Sequence, residues 1–283
     1  DFQSMITEKG NASGSAFKFP NTVYNAAGGY LSICSGIKGY NVTVTNGAQS
    51  GLASMAYAMS VLRSGQENAM LATGSDENSD TMTELFGKLG VTSENVVAPF
   101  AGKDGFVLSD GSASVLIEDE KAARERGARI YCHAAGYGMA HSNVKFGTLT
   151  GSEAGLTNAV NNALADAGMT IDDIDAVFGF ANGMKAVDDV EIKGLTAVFG
   201  DKLAEKPVVE LKEVLGESRA AAATTAAAHA ALMFAGKIPS QEAYSIAADG
   251  SVSKTNVEAS KLNNVLVVAY GAGGSYTAIV LSK

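Results

Sequence analysis

The stretch GYNVTVTNGAQSGLASMAYAMSVLRSG, residues Gly39–Gly65, decides how the rest of the chain is interpreted. It predicts a strand at Asn41–Thr45, a tight turn at Asn46–Gly47 and a helix over Gln49–Gly65. A turn that joins a strand to a helix N-terminus is a frequent position for a nucleophile, because the helix end carries partial positive charge. The residue in that position is Ala48, whose methyl group has no lone pair. The stretch therefore predicts the scaffold of an active site without its reactive atom.

Composition excludes several classes of function. The chain has 283 residues, 46% of them hydrophobic, and a net charge of −9, so it lacks the basic surface that neutralises nucleic-acid phosphates. No apolar run reaches the length of a bilayer span, and the first residues have neither the basic nor the apolar region of a signal peptide. We therefore expect a cytoplasmic protein with no nucleic-acid or membrane partner.

The cysteines and histidines do not indicate a metal site or a cofactor. Cys34 and Cys132 lie in apolar surroundings without metal-ligand spacing, which favours reduced thiols over a disulfide. His133, His141 and His229 are too scattered for a metal cluster, and each is expected to have a structural role. We expect no metal and no cofactor.

Strands and helices alternate along the chain, which indicates an α/β fold with helices on the faces of a mainly parallel sheet. The segment NAMLATGS, followed later by ASVLIED, resembles VLVVAYGAGG followed by TAIVLS. Each pair predicts a strand, a glycine turn and a returning strand, and such internal similarity indicates duplication. We therefore predict two related βα halves, residues 1–129 and 130–283, with the first half incomplete at its N-terminus.

Four motifs in order resemble the β-ketoacyl synthases of the thiolase superfamily. The family's nucleophile turn TACASG is matched by Asn46–Gly51, and its DGFVLGEGA segment by Asp104–Ser112. Its KSxxG run is matched by Lys212–Gly216, and its closing GFGGTN signature by Gly271–Tyr276. The resemblance implies a thiolase-like fold with duplicated halves in a layered α-β-α-β-α arrangement.

The chain departs from the family at each catalytic position. The family's acyl-carrying cysteine is matched by Ala48, or by Gln49 if the alignment slips by one residue. The two family histidines are matched by Asn182 and Glu217, and the gating phenylalanine by Ala272. These vacancies resemble the chain-length factor, a non-catalytic subunit that pairs with an active ketosynthase in type II polyketide synthases.

The polar residues at these positions also have simpler interpretations. Glu217 is expected to be a buried carboxylate paired with a neighbour such as Arg219 or Lys212, because an unpaired buried carboxylate is costly. Asn182 either donates hydrogen bonds to a carbonyl or fills the space of the lost histidine.

The resemblance implies three partners. An active ketosynthase would pair through the strand Asn41–Thr45 to form a heterodimer, and an acyl carrier protein would dock chiefly on that partner. The family fold has further βα units before Asp1, so we expect a separate N-terminal fragment held non-covalently. Small and bulky side chains would set the length of a polyketide tunnel, with these candidates: Gln49, Met82, Leu85, Phe86 and Ala272.

Two alternatives remain open from the sequence. The first is a ketosynthase-like decarboxylase that makes a starter unit from a malonyl-carrier protein through Gln49 and Asn182. The second is a degenerate thiolase-fold protein with a scaffolding role only. In the chain-length-factor interpretation, the chain is a subunit of a ketosynthase complex and itself lacks the Cys-His-His catalytic set.

Overall fold

The computed structural model describes residues 2–96, 98–103, 105–145 and 151–283. The chain divides into two compact units, Asp1–Thr45 and Asn46–Lys283. The predicted boundary between residues 129 and 130 lies within the larger unit and stays a prediction. Asp104, the first residue of the matched DGFVL segment, lies outside the described residues.

The smaller unit contains two α-helices among its described residues, α1 (Phe2–Lys9) and α2 (Ala26–Ser35). The sequence pattern predicts no regular structure at the start of the chain, so α1 corrects that expectation. The predicted strand Asn41–Thr45 is also wrong, because these residues adopt no regular secondary structure. A strand exists only where a second backbone accepts its ladder hydrogen bonds, and no described strand pairs with this segment.

The first part of the larger unit places a two-stranded antiparallel sheet against a buried helix. That helix, α3 (Ser50–Arg63), is apolar and buried on nearly all sides. The two strands pair so that Leu71 aligns with Leu116. The elements of this part are α3, β1 (Ala69–Asp76), α4 (Asp80–Lys88), β2 (Gly111–Glu118) and α5 (Glu120–Glu125).

The second part of the larger unit is built around a mixed sheet. Within the described residues it has seven strands in the order β3-β9-β8-β4-β5-β6-β7. Its strands are β3 (His133–His141), β4 (Ala176–Phe178), β5 (Val208–Val209), β6 (Ser240–Ile246), β7 (Val252–Glu258), β8 (Asn264–Gly271) and β9 (Ser275–Ser282). Its helices are α6 (Glu153–Ala167), α7 (Lys185–Phe199), α8 (Lys212–Leu215) and α9 (Ala220–Phe234).

The predicted repeat of paired strands is present in both parts, but a glycine turn joins the strands only in the second; in the first, Gly74 lies inside β1, and α4 lies between β1 and β2. β1 pairs with β2, and β8 pairs with β9, each over eight antiparallel positions. In the second part β8 and β4 are parallel, and so are β4 and β5. The α/β class is confirmed, but the predicted mainly parallel sheet is wrong, because the other four strand pairs of this sheet are antiparallel. The two parallel pairs bring the ends of β4, β5 and β8 to one region of the sheet.

Close helix packing requires glycines at several strand positions. A Cβ at Gly74 would lie 2.4 Å from the carbonyl oxygen of Ala220 in α9, and one at Gly138 would lie 2.1 Å from that of Ala159 in α6. Neither position has room for a side chain. The helices therefore pack directly on the strand backbones, which fixes α9 over β1.

Candidate functional site

The turn before α3 is held together by the Ser50 hydroxyl. The Asn46 amide donates to Ser50 Oγ at 2.7 Å, and Ser50 Oγ donates to the Gly47 carbonyl at 2.6 Å. Gly47 has a φ of +68°, a conformation that favours glycine. Ala48 is half-buried in the single 3₁₀ turn that follows. The predicted turn and helix are therefore present, with the Ala48 methyl group at the position that the sequence resemblance matches to the nucleophile.

This turn lies against the ends of β8 and β9. A Cβ at Gly271 would stand 3.5 Å from both Ala48 N and Asn46 O. The next residue, Gln49, is fully buried, and its Oε1 accepts a 2.5 Å hydrogen bond from Thr277 Oγ1. Within the described residues, Gln49 Nε2 has no hydrogen-bond partner. The turn thus contains a buried amide with an unused donor.

The other two matched positions lie together in a buried cluster. Asn182 Nδ2 donates to Glu217 Oε2 at 2.9 Å, and Lys212 Nζ donates to the same oxygen at 2.8 Å. The Arg219 backbone amide donates to Glu217 Oε1 at 2.8 Å. All three side chains, Asn182, Lys212 and Glu217, are buried. The expectation that Glu217 is paired with a neighbour is confirmed.

Lys212 has further partners that keep its ammonium in place. Its Nζ donates to the Phe180 carbonyl at 3.0 Å and lies 3.1 Å from the centroid of the Phe180 ring. A carboxylate, a carbonyl and an aromatic face together compensate the loss of water around a buried cation. The charges of Lys212 and Glu217 therefore compensate each other, and the Lys212 ammonium has its hydrogen-bond partners within the protein.

Arg219, which has a strained backbone conformation, holds the second carboxylate oxygen of Glu217 in place. Arg219 has φ 48° and ψ −112°, a conformation that side chains rarely adopt. Its guanidinium Nη2 donates to Asp76 Oδ1 at 2.5 Å and to the Glu77 carbonyl at 2.9 Å. These bonds tie the residue after the cluster to the end of β1. The Glu217 carboxylate is thus held by backbone geometry as well as by Lys212.

This arrangement offers no nucleophile. Glu217 is a carboxylate whose two oxygens already accept three bonds, and Asn182 is a neutral amide. Within the described residues, no hydrogen bond links Gln49 to Asn182 or Glu217. The structure therefore joins two of the three matched positions and leaves the Ala48–Gln49 turn separate from their hydrogen-bond network.

A small cavity of about 120 Å³ lies beside the cluster. Its walls include Phe106 and Leu215, and the Phe106 ring centroid lies 5.7 Å from that of Phe86 on α4. Met82 and Phe86 are half-buried on that helix, and Leu85 is exposed. The remaining tunnel candidate, Ala272, is exposed at the turn between β8 and β9. Of the tunnel candidates, Phe86 is thus in contact with a residue that lines the cavity beside the cluster.

Sequence reasoning missed a second set of buried carboxyl groups. Asp188 and Glu191 lie one turn apart on α7, and Glu210 follows β5; all three are buried. Burial raises the pKa of Asp188 to about 6. Burial, followed by the charge of Glu191, raises the pKa of Glu210 well above its ordinary value. A signal was available, because Glu210 interrupts the apolar run Val208–Leu211.

The histidines stay apart from these clusters. His229 lies on α9 with its ring 6.1 Å from that of Phe178, and burial lowers its pKa. His133 and His141 lie at the two ends of β3. Across the described residues, no group of three or more His, Cys, Asp or Glu side chains is placed to hold a metal ion. In the same residues, no helix is both long and apolar enough to span a bilayer.

Comparison with known proteins identifies the family. Residues 2–123 match the N-terminal domain of β-ketoacyl synthases, and residues 131–244 match the C-terminal domain. The 3-oxoacyl-[acyl-carrier-protein] synthase 2 of Vibrio harveyi is 29% identical over 214 residues, which cover 73% of this chain and 52% of the relative. The chain thus spans about half the length of the curated relatives it matches.

Two solved structures share the fold. The ishigamide ketosynthase/chain length factor superposes with a TM-score of 0.88 at 22% identity, covering 100% of this chain and 71% of the other. A type II polyketide synthase acyl-carrier protein in complex with its ketosynthase, bound to the hexaketide, gives 0.88 at 20% identity and covers 99% and 73%. The chain has the thiolase-like ketosynthase fold and belongs to the β-ketoacyl synthase family.

Proposed function

We propose that this chain is the non-catalytic chain-length factor of a type II polyketide synthase and works beside an active ketosynthase. The observation that carries the proposal is the closed cluster of Asn182, Lys212 and Glu217 at two family catalytic positions. The third position, Ala48, has no atom that forms a thioester. One of the similar structures is itself named a ketosynthase/chain length factor, which supports the assignment.

The proposal requires an active ketosynthase as partner. The smaller unit, Asp1–Thr45, exposes large apolar side chains, with Phe17 94%, Tyr24 88% and Ile33 77% exposed. Apolar side chains in such number at a surface are typical of an interface. We place the ketosynthase on this unit, with the unpaired segment Asn41–Thr45 becoming a strand at the shared sheet.

We propose a binding groove for a separate N-terminal fragment. A groove of about 850 Å³ runs along β2, between α3 and the segment that leads into β3. Its lining includes Met55, Met59 and Ile117, and the β2 edge above it has no described strand beside it. An extended segment with alternating apolar residues would place its apolar side chains in the groove and form backbone hydrogen bonds with the open edge of β2. We assign this groove to the N-terminal fragment.

The tunnel is proposed to run past α4, with Gln49, Met82, Leu85, Phe86 and Ala272 as its candidate lining. In the complete synthase, Phe86→Ala enlarges the cavity beside Phe106 and should give longer products, and Met82→Trp should shorten them. Mass spectrometry of the polyketides measures the length. Thr81→Ala, an exposed change on the same helix, serves as the control. Unchanged products from both tunnel variants would contradict the proposal.

The acyl carrier protein is proposed to dock on the ketosynthase. Carrier proteins of the family are acidic, and this chain has a net charge of −9, so the two repel each other. Cross-links from the carrier should therefore fall on the partner. The cytoplasm is the compartment in which we propose this assembly to work.

One observation favours a second function. The buried Gln49 Nε2 lacks a hydrogen-bond partner among the described residues, so it is available to a substrate carbonyl. A decarboxylase that makes the starter unit from a malonyl-carrier protein would use this donor together with Asn182. The test uses the purified complex with a partner whose active cysteine has been removed. Turnover of the malonyl-carrier protein by this complex, and its loss in Gln49→Leu, would favour the second function.

A further inference from the structure

Three buried carboxyl groups near the cluster have no role in the proposed function. Asp188 accepts hydrogen bonds from the amides of Phe100 at 2.7 Å and Asn182 at 3.0 Å. Glu191 Oε2 accepts from the Phe180 amide at 2.8 Å and lies 3.1 Å from the Tyr270 hydroxyl. In each of these two carboxylates, at least one oxygen therefore accepts hydrogen bonds.

Glu210 is different. It is 4% exposed, and among the described residues neither of its oxygens has a hydrogen-bond partner; the same holds for Glu191 Oε1. Both carboxyls converge on the Cα of Gly179, where a Cβ would lie 1.9 Å from Glu210 Oε1 and 2.2 Å from Glu191 Oε1. These two oxygens therefore lie within about 4 Å of each other. Gly179 is the residue that leaves room for them.

Two negative charges at this separation, away from water, repel each other strongly. The groups that face Glu210 are Asp188 and Glu191 from α7, Lys212 from α8 and Tyr270 from β8. Lys212 is the cation among them, and its ammonium is bonded to Glu217. The tyrosine hydroxyl is directed to Val187 O at 3.0 Å and to Glu191 Oε2. None of these groups neutralises Glu210.

A single proton removes the conflict. If Glu210 is a neutral acid, its hydroxyl donates to Glu191 Oε1 and gives two of the three unpartnered oxygens a bond. We propose that Glu191 and Glu210 form a buried site that holds one shared proton at neutral pH. The direction of the Glu210 pKa, raised by burial and then by the charge of Glu191, agrees with this geometry.

The shared proton makes folding depend on pH with a definite sign. Glu210 keeps its proton in the folded chain and loses it in the unfolded chain once the pH exceeds the ordinary value of 4.5. The folded state then binds one more proton, so stability falls as the pH rises from there towards the raised pKa. Relative to Glu210→Gln, the unfolding equilibrium constant should increase about tenfold per pH unit in this range.

Infrared spectroscopy of the full-length protein, in the complex in which it purifies, tests the proposal. At pH 8 the wild type should show the carbonyl band of a protonated carboxylic acid, and Glu210→Gln should remove it. The exposed change Glu205→Gln should leave it unchanged. If Glu210→Gln does not fold, Glu191→Gln takes its place and should shift the frequency of the band, because an amide replaces the carboxylate that accepts the Glu210 proton. No such band in the wild type, a band that persists in Glu210→Gln, or a band that is unshifted in Glu191→Gln would overturn the proposal.

Discussion

The strand pairs β1–β2 and β8–β9 have the same local plan and very different surroundings. Both are antiparallel pairs of eight-residue strands. β8 and β9 are flanked by β4 and β3, and nearly all of their residues are buried. Among the described residues β1 and β2 have no further strand beside them, and no residue of β2 is fully buried.

We infer that the stability of a strand pair depends more on the elements beside it than on its own residues. Two-stranded sheets are marginal in water, and β1–β2 is supported here by α3 and α9 on one face. The groove along β2 is the place where we propose that a further segment binds. Substitutions in this region should therefore respond to added partners, and substitutions around β8–β9 should not.

The largest expected difference concerns two ion pairs. The side chains of Lys212 and Glu217 are each 6% exposed, whereas those of Arg219 and Asp76, at the end of β1, are 12% and 31% exposed. Glu217→Ala leaves a buried ammonium unpaired and should cost about 3–5 kcal/mol in the free energy of unfolding. Asp76→Ala should cost about 1 kcal/mol or less. Urea denaturation of both variants measures the difference, and equal costs would break the comparison.

A matched pair of leucines sharpens the comparison. Leu266 in β8 is fully buried, and Leu116 in β2 is 52% exposed. Leu266→Ala should destabilise the protein by about 2–5 kcal/mol, because it leaves a cavity in a packed interior. Leu116→Ala should cost less than about 1 kcal/mol without the N-terminal fragment, since the side chain buries little area. If Leu116→Ala costs as much as Leu266→Ala in the fragment-free protein, the two strand pairs do not differ as described.

The smallest effect is a difference in thiol reactivity. Cys132 lines the groove beside β2, and burial raises its pKa to about 11, so little thiolate is present at neutral pH. Cys34 is exposed. A maleimide reagent should therefore label Cys34 at least about tenfold faster than Cys132. Adding the proposed N-terminal fragment should slow the labelling of Cys132 further. A labelling rate of Cys132 that the fragment does not change would contradict the assignment of the groove to that fragment.

Much of the fold was predictable from the sequence, and the exceptions have physical causes. The apolar runs around residues 68–73 and 265–270, each followed later by a second apolar run, indicated both strand pairs, and the glycine turn was correct only in the second pair. The hairpin β6–β7 was missed because SQEAYSI and VSKTNVE are largely polar. The segment Asn41–Thr45 has strand-forming residues, but these cannot form a strand without a partner backbone.

The site was predictable in part. Lys212 and Glu217 are five residues apart around a short helical turn, so their pairing followed from local geometry. Glu191 and Glu210 are distant in sequence and meet only because β4 and β5 pair in parallel. Neither the unused Gln49 amide donor nor the convergence on Gly179 has a local sequence signature. Such contacts depend on tertiary packing.

The central claim is that this chain assists chain elongation without carrying the acyl group. Peptide-resolved mass spectrometry tests it most directly, after the purified complex is incubated with acyl-carrier and malonyl-carrier proteins. We predict acyl groups on the active cysteine of the ketosynthase partner and none on any residue of this chain. An acyl group covalently bound to this chain would contradict the account.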